Sequence, residues 1–294
     1  MDVRRLRLLV ELSRLGSMHE VAAELATTTS TVSQGIATLG REVGAPLVER
    51  AGRRVRLTPA GQRLAEHAVT ILAAVDAARL DLDPAAEPAG VLRVAGFATA
   101  VRRSLLPAIV ELTRAWPRLE VRLLEHEPAE ALDLLGRDDV DLVLAYDYDL
   151  APAAWQPDHV ARPLWSTEWG LGVLDPTSAP VSAPAPGAGL PAYAESDWIV
   201  NSRHTADETA LRALSARAGF TPRVVHRIDS LELVHDLVLA GRGVALLPLD
   251  RLTPDGLTVL PLADPPVLRA FAVTRRGRDQ WAPLRAVLDE LERR

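Results

Sequence analysis

Apolar residues recur at helical spacing through the first eighty positions and at strand spacing through much of the remaining chain. Leu6, Leu9, Val10 and Leu12 form one stripe, closed by Gly16, and predict a first helix. Ser17 followed by Glu20 is a capping box for a second, whose buried side is Val21, Ala22 and Leu25. After a Thr-rich turn, Val32, Ile36 and Leu39 predict a third helix. The run "ERAGRRVRLTPAG" then reads as a tight turn between two short strands. Thr58 as N-cap and Pro59 at the first helical position open a long helix. In it Leu64, Ala68, Ile71, Val75, Ala78 and Leu82 alternate spacings of four and three, a heptad seam that predicts self-association. The alternative is a helix packed on its own domain.

"LDPAAEPAG", Leu82 to Gly90, is a linker, and beyond it the rhythm changes. "VLRVAG", "LEVRLLE" and "VDLVLAY" read as strands, separated by helices through "LLPAIVELTRAW" and "PAEALDLLG". A Pro/Ala/Gly-rich loop, Pro176 to Pro191, interrupts the alternation. It resumes with "DWIVNS", a helix from Asp207 to Ala218, "RVVHRID", a helix through "SLELVHDLVLAG", and "GVALLPL". "LTVLPL", "RAFAVTR" and a closing helix complete it. Strands alternating with helices imply a mostly parallel sheet, and two such halves imply two lobes with a cleft between them.

Composition sharpens this division. The net charge is −6, yet residues 1–80 carry +3 and the remainder −9. A mildly basic head on an acidic body fits a chain of which only one end meets DNA. All 33 basic residues are Arg, and there is no Cys, which excludes disulfides and thiolate metal sites and suits a reducing cytoplasm. The paired arginines of "MDVRRLRLLVELS" stand before an apolar run that Glu11 and Arg14 interrupt, so this start reads as a folded helix, not an export signal. No apolar stretch approaches the ~20 residues of a membrane span.

Two neighbouring helices with small or apolar residues at their crossing, here Ala22, Ala26 and Val32, suit a helix-turn-helix. The second would turn Ser30, Thr31, Ser33, Gln34 and Thr38 outward. None of these is basic. Ser and Thr donate to phosphate oxygens, and Gln can pair in two-pronged fashion with adenine in the major groove. Charge would come from the adjacent hairpin, through Arg50, Arg53, Arg54 and Arg56.

The stretch "GSMHEVAAELATTTSTVSQGIATLGREVGAPLVERAGRRVRLTPAG" resembles the N-terminal winged helix-turn-helix of LysR-type transcriptional regulators. "SLELVHDLVLAGRGVALLP" is similar to their effector domain. Thr27, Gly40 and Val48 depart from the family pattern. The resemblance implies an N-terminal all-α winged helix-turn-helix with a long linker helix. It also implies a C-terminal α/β two-lobe domain resembling type 2 periplasmic binding proteins. The expected division is a DNA-binding domain at 1–58, a dimerisation helix and hinge at 59–90, and a regulatory domain at 91–294. Lobe I would hold 91–162 and 266–294, and lobe II 163–265. Double-stranded DNA, a small-molecule effector and RNA polymerase are the implied partners. The implied assembly is a homodimer, and a homotetramer built from two.

In that family the effector lies between the lobes, where strands end and helices begin. The corresponding positions here are Thr99, Ala100 and Arg102 on one side and Asn201, Ser202, Arg203 and Thr205 on the other. Hydroxyls at helix starts beside arginines suit a small anion, such as a carboxylate. Against this, Thr and Ser at helix starts are often only caps. Of Trp155, Trp165, Trp169 and Trp198, at most one is expected to touch ligand, the rest being core or hinge. The acidic runs "RDDVDL" and "YDYD" read as a solvated rim, and "EHE" (Glu125–Glu127) as strand positions. No catalytic, metal or cofactor motif is found. A constitutive DNA-binding protein with a vestigial cleft, and a solute-binding or enzymatic α/β module, remain alternatives.

Overall fold

The computed structural model describes residues 1–51, 54–82, 87–175, 189–201 and 206–294. α1 (Val3–Leu15) is capped by Asp2, whose side chain accepts from the Arg4 N–H at 2.8 Å, and it ends where Gly16 turns left-handed. α2 (Met18–Glu24) and α3 (Thr29–Val43) follow. Ser17 accepts from the Glu20 N–H at 3.5 Å, one half of the capping box. The chain turns between α2 and α3 at Ala26, with φ +48°. Ala26 is exposed, so it makes the turn and does not fill the helix crossing expected of it, where Ala22 and Val32 are buried. Leu6, Leu9, Leu12, Val21, Ile36 and Leu39 share one core.

β1 (Val48–Ala51) and β2 (Arg54–Leu57) pair antiparallel as the wing, and α4 (Pro59–Leu82) leaves from it. Thr58 fixes that exit. Its hydroxyl donates to the Pro46 carbonyl at 2.7 Å and accepts from the Gly61 N–H at 3.0 Å. Its own N–H donates to the Leu47 carbonyl at 3.0 Å. These bonds draw α4 so close that a Cβ on Gly61 would collide with the Leu47 carbonyl oxygen.

α4 lays Ala65, Ala68, Val69 and Leu72 against the head core, with Leu64 and Ile71 packed beside them. This corrects the seam reading for most of its length. The apolar stripe of α1 needs a cover, and one chain's own α4 supplies it, leaving Val75 half-buried and Ala78 exposed.

The remainder is one nine-stranded sheet, in the order β4-β3-β5-β11-β6-β9-β7-β8, with β10 also on β6. β3 (Gly90–Gly96), β4 (Leu119–Glu125) and β5 (Leu142–Tyr148) are parallel, and β11 (Val267–Arg275) runs antiparallel beside β5. β7 (Asp197–Val200), β8 (Arg223–Arg227) and β9 (Val244–Pro248) form the parallel part of the second half, with β10 (Leu257–Leu260) at its side. The sequence reading missed β6 (His159–Leu174), which belongs to both halves. Its residues up to Glu168 pair with β11, and Trp169–Gly172 pair with β9. The passage between lobes therefore lies inside a strand at 168/169, not at 162/163. The return passage precedes β11.

Helices cover the sheet. Lobe I carries α5 (Ala98–Ala100), a π-helical turn (Val101–Leu105) running straight into α6 (Leu106–Ala115), then α7 (Pro128–Gly136) and α10 (Ala282–Glu292). Lobe II carries α8 (Ala206–Arg217) and α9 (Leu231–Leu239). α4 rests on lobe I, where the Thr70 hydroxyl donates to the Arg276 carbonyl at 3.5 Å. The acidic run is not a rim. Asp141 is buried and takes two bonds from the Arg93 guanidinium and one from Arg278, and buried Asp147 is held bidentately by Arg269 at 2.8 Å.

Gly61→Ala is expected to destabilise the protein by roughly 1–3 kcal/mol, because backbone on both sides of the contact resists a shift. A urea midpoint unchanged from wild type would show that the Thr58 junction is slack.

Candidate functional site

Two regions remain chemically uncommitted, the outer face of α3 and the cleft between the lobes. On α3, Thr28 caps the helix by accepting from the Thr31 N–H at 3.1 Å, and the two hydroxyls lie 2.9 Å apart. Thr38 accepts from Arg41 at 2.9 Å. Ser30, Ser33 and Gln34 are exposed and hydrogen-bond to no side chain among the described residues. On the wing, Arg56 faces Glu49 across the hairpin and donates to it at 3.0 Å. Arg50 and Arg54 lie on β1 and β2, and Arg53 lies outside the described residues.

The cleft holds about 590 Å³ of atom-free space, its mouth included. Thr99, Arg102 and Asn201 line it as expected, with Arg103. Ala100 does not; it is fully buried in the core beneath. Ser202, Arg203 and Thr205 lie outside the described residues. Trp165 and Trp169 both line the cleft, while Trp198 is core and Trp155 packs on Phe271 in lobe I. The π-helical turn places Arg102 and Arg103 side by side, and each reaches across to lobe II. Arg102 pairs with Glu232 on α9, and Arg103 with Asp250 at 2.6 Å. Arg103 also lies 4.3 Å from the centre of the Trp165 ring, and the Trp165 Nε1 donates to Ser104 at 3.0 Å. Both ion pairs are more than a third exposed, so they are weak and displaceable.

Behind them lies a buried network that sequence reasoning missed. The Tyr146 hydroxyl is 2.9 Å from Glu127 and 2.7 Å from Asp207, and the Tyr148 hydroxyl donates to Asp207 at 2.7 Å. Glu127 begins α7 but caps nothing there, turning instead to Tyr146. Asp207 is in the first turn of α8, so the network joins lobe I to lobe II. Two phenolic protons cannot serve three hydrogen bonds, so one carboxyl must carry the third. Burial pushes the Glu127 carboxyl up to about 8, outweighing its bond from Tyr146, and nearby Asp207 and Asp229 push the same way. Burial raises Asp207 only to about 6, because both tyrosines hydrogen-bond its charged form. At neutral pH Glu127 therefore holds the proton and donates it to the Tyr146 oxygen.

Residues 3–62 match the bacterial regulatory helix-turn-helix protein family, lysR type, and residues 85–294 match the LysR substrate binding domain. The chain belongs to the LysR family. It is a LysR-type transcriptional regulator, with a DNA-binding head and an effector-binding domain. Among its relatives, the transcriptional dual regulator GltC of Bacillus subtilis is 26% identical over 288 residues, covering 96% of this chain and 93% of GltC. The regulator IlvR of Caulobacter vibrioides is 29% identical over 299 residues, covering 96% and 94%. A full-length OxyR variant from Pseudomonas aeruginosa shares the fold with a TM-score of 0.69 at 20% identity, covering 99% of this chain and 98% of that one.

For a LysR-type domain, this cleft is closed by groups that no local motif could reveal. Glu127 lay in "EHE", which alternation assigned to a strand, but the strand stops at Glu125. The one signal in the sequence was "YDY", whose alternation puts both tyrosines on the face opposite Asp147.

The proton on Glu127 makes stability pH-dependent. Its folded value of about 8 lies above the ordinary 4.5, so the stabilisation is full below 4.5 and is lost as pH rises towards 8. Asp207, raised to about 6, titrates in both proteins and is largely ionised by about pH 7, so the comparison between them isolates Glu127. Between pH 6 and 8 wild type should therefore lose stability relative to Glu127→Gln, at up to about 1.4 kcal/mol per pH unit. Parallel melting-temperature profiles for the two proteins would disprove the protonated Glu127.

Proposed function

We propose that α3 reads operator DNA through Ser30, Ser33 and Gln34, and that the wing arginines hold the backbone on either side. The observation that carries this is that those three side chains have no side-chain partner among the described residues, on a capped helix that projects from a closed core. Thr31 and Thr38 contribute less, since each already bonds within the helix. A neutral reading helix gains little from charge, so affinity and its salt dependence fall to Arg50, Arg53, Arg54 and Arg56. Arg56 has to leave Glu49 to take part.

In this reading the interlobe cleft is the effector site and no reaction is assigned to it; the chain acts in the cytoplasm, with RNA polymerase as its downstream partner. It works as a homodimer and as a homotetramer of two dimers. The exposed apolar residues support an assembly through the regulatory domain. Leu106 and Val110 on α6 with Leu123 and Leu124 on β4 mark one end of the sheet, and Val225 on β8 with Leu233 on α9 mark the other. Two chains laid antiparallel would cover both ends at once. The part of α4 beyond Ile71, with Val75 and Ala78, is the share of the seam left for the heads.

Binding of purified protein to its own upstream DNA, titrated with salt beside random DNA, tests the assignment. Gln34→Ala should cost about 1–3 kcal/mol on the specific site alone, while Arg53→Ala should weaken both DNAs and lower the salt slope by about one. Equal losses on both DNAs from both substitutions would remove α3 as the reading element.

A further inference from the structure

Two of the cleft's three lining arginines are already matched by acids, and the hydrogen-bonding capacity of its deep wall points elsewhere. Arg102 and Arg103 hold Glu232 and Asp250. Arg251, the third arginine on the lining, lies near enough to His235 on α9 to disfavour its charge. The deep wall is different. Glu127 is only 8% exposed, and the charges that bear on it are carboxylates from three elements: Asp207 on α8, Asp229 before α9, and Glu130 on α7. Tyr146 and Tyr148 face it from β5, and His126 beside it engages Glu130 at 3.1 Å. The walls around this carboxyl are aromatic, with Phe97 and Tyr146 packed edge-on at 4.7 Å and Trp165 6.4 Å from Phe97.

Two further groups on the same wall lack partners of opposite kinds among the described residues. The Nε1 of Trp169, a residue 4% exposed, is a donor with no acceptor. The Oδ1 of Asn201 is a buried acceptor with no donor. Both line the cleft and the small recess of about 220 Å³ that continues from it towards Asp207. A single hydroxyl can accept from one and donate to the other. An unmatched buried polar group is costly, so a ligand that satisfies both gains by doing so.

We propose that the cleft takes a small organic ammonium ion carrying a hydroxyl, its cationic end against the Glu127 carboxylate and its hydroxyl between Trp169 and Asn201. This deepens, and rests on, the reading of the cleft as the effector site. A field set by three carboxylates and aromatic faces favours a cation and opposes the small carboxylate that the arginines alone suggested. As the ammonium binds, Glu127 gives its proton to solvent, and an ammonium N–H takes over the role of that proton. The Glu127 carboxylate, no longer a donor, then competes with Asp207 for the Tyr146 proton. Binding is thus coupled to release of one proton and to the bonds that join the lobes.

The test uses the full-length protein and three probes of one shape, tyramine, tyrosol and 4-hydroxyphenylacetate, which share a phenol and differ in charge. Titration calorimetry at pH 7 in two buffers of different ionisation heat reads affinity and proton release together. Tyramine is expected to bind at least about tenfold more tightly than the other two and to release about 0.9 proton. Glu127→Gln keeps the shape and a donor for the Tyr146 oxygen. It should retain the wild-type fold, read from its melting profile below about pH 6, while losing both the preference for tyramine over tyrosol and the proton release. Tightest binding by tyrosol or 4-hydroxyphenylacetate, or unchanged tyramine binding by the variant, overturns the inference and leaves the cleft as effector site. Binding of none of the three, with upstream DNA still bound, overturns the inference and the cleft reading together.

Discussion

Three hydrogen bonds run through Glu127, Tyr146, Asp207 and Tyr148, and the two phenols bring only two protons to them. The third proton has to sit on a carboxyl, in a site where burial already opposes a second charge. Much else about the regulatory domain depends on that. Tyr146 and Tyr148 stand near the end of a central strand of lobe I, while Asp207 begins the first helix beyond β7 in lobe II, so the network fixes how the lobes meet. Around it the rings of Phe97, Tyr146, Tyr148 and Trp169 pack edge to face in series, which makes one hydrophobic core continuous across both lobes. The ion pairs of Arg102 and Arg103 at the mouth are partly solvated and contribute little by comparison. A ligand that leaves the network alone can alter the mouth only; one that reaches Glu127 changes the proton count on which the lobe contact depends.

The head answers a different constraint. Its core is small, and it closes only because α4 returns across α1 with alanines where larger residues would hold the helices apart. The Thr58 junction and the bare Cα of Gly61 set that approach. Gly35 lets the Leu8 side-chain tip of α1 lie close against α3. With its inner face committed in this way, α3 can leave its outer face polar and uncharged. On the proposed reading, sequence preference and phosphate affinity are then carried by different elements, the helix and the wing.

Amphipathic period made the head helices legible, and strand–helix alternation revealed the two lobes, because each of those elements has one apolar face and one neighbour in sequence. β6 escaped because its pattern changes midway. Residues up to Glu168 alternate loosely as part of lobe I, and Trp169 onward are buried on both faces as part of lobe II. Gly172 interrupts that pattern because a Cβ there would collide with the buried Leu247 side chain. Asp141 and Asp147 looked solvated for a related reason. Their partners Arg278 and Arg269 lie 137 and 122 residues further on, beyond any local pattern. The seam of α4 was a real apolar stripe, but spacing alone does not say whether the surface it meets belongs to the same chain. Of the cleft, Thr99, Arg102 and Asn201 could be placed from strand ends, whereas Glu127 and Asp207 become a site only when two lobes distant in sequence close on each other.

β6, which joins the lobes, and its lobe I neighbour β11 also reach towards the head. β11 begins at the cleft, where Leu268 forms part of the lining, and ends at Arg275, shortly before Gly277 meets Thr70 of α4. Nine residues at about 3.3 Å each place these ends roughly 30 Å apart. β6 runs antiparallel beside it, with His159 at the head end and Trp165 and Trp169 at the cleft. Arg278, just beyond β11, holds Asp141 and with it Arg93 of β3, so the head-facing end of lobe I is tied across the sheet by buried charge. Lobe I therefore touches the linker helix at one end and lines the interlobe cleft at the other. On the proposed reading of that cleft as the effector site, the contacts that set the relation between lobe I and lobe II are the ones a bound ligand would alter. A ligand shifts that relation only by the difference in its affinity for the two arrangements. If Glu127 gives up its proton to a bound cation, as proposed, a cation supplies such a difference where a neutral molecule of the same shape does not.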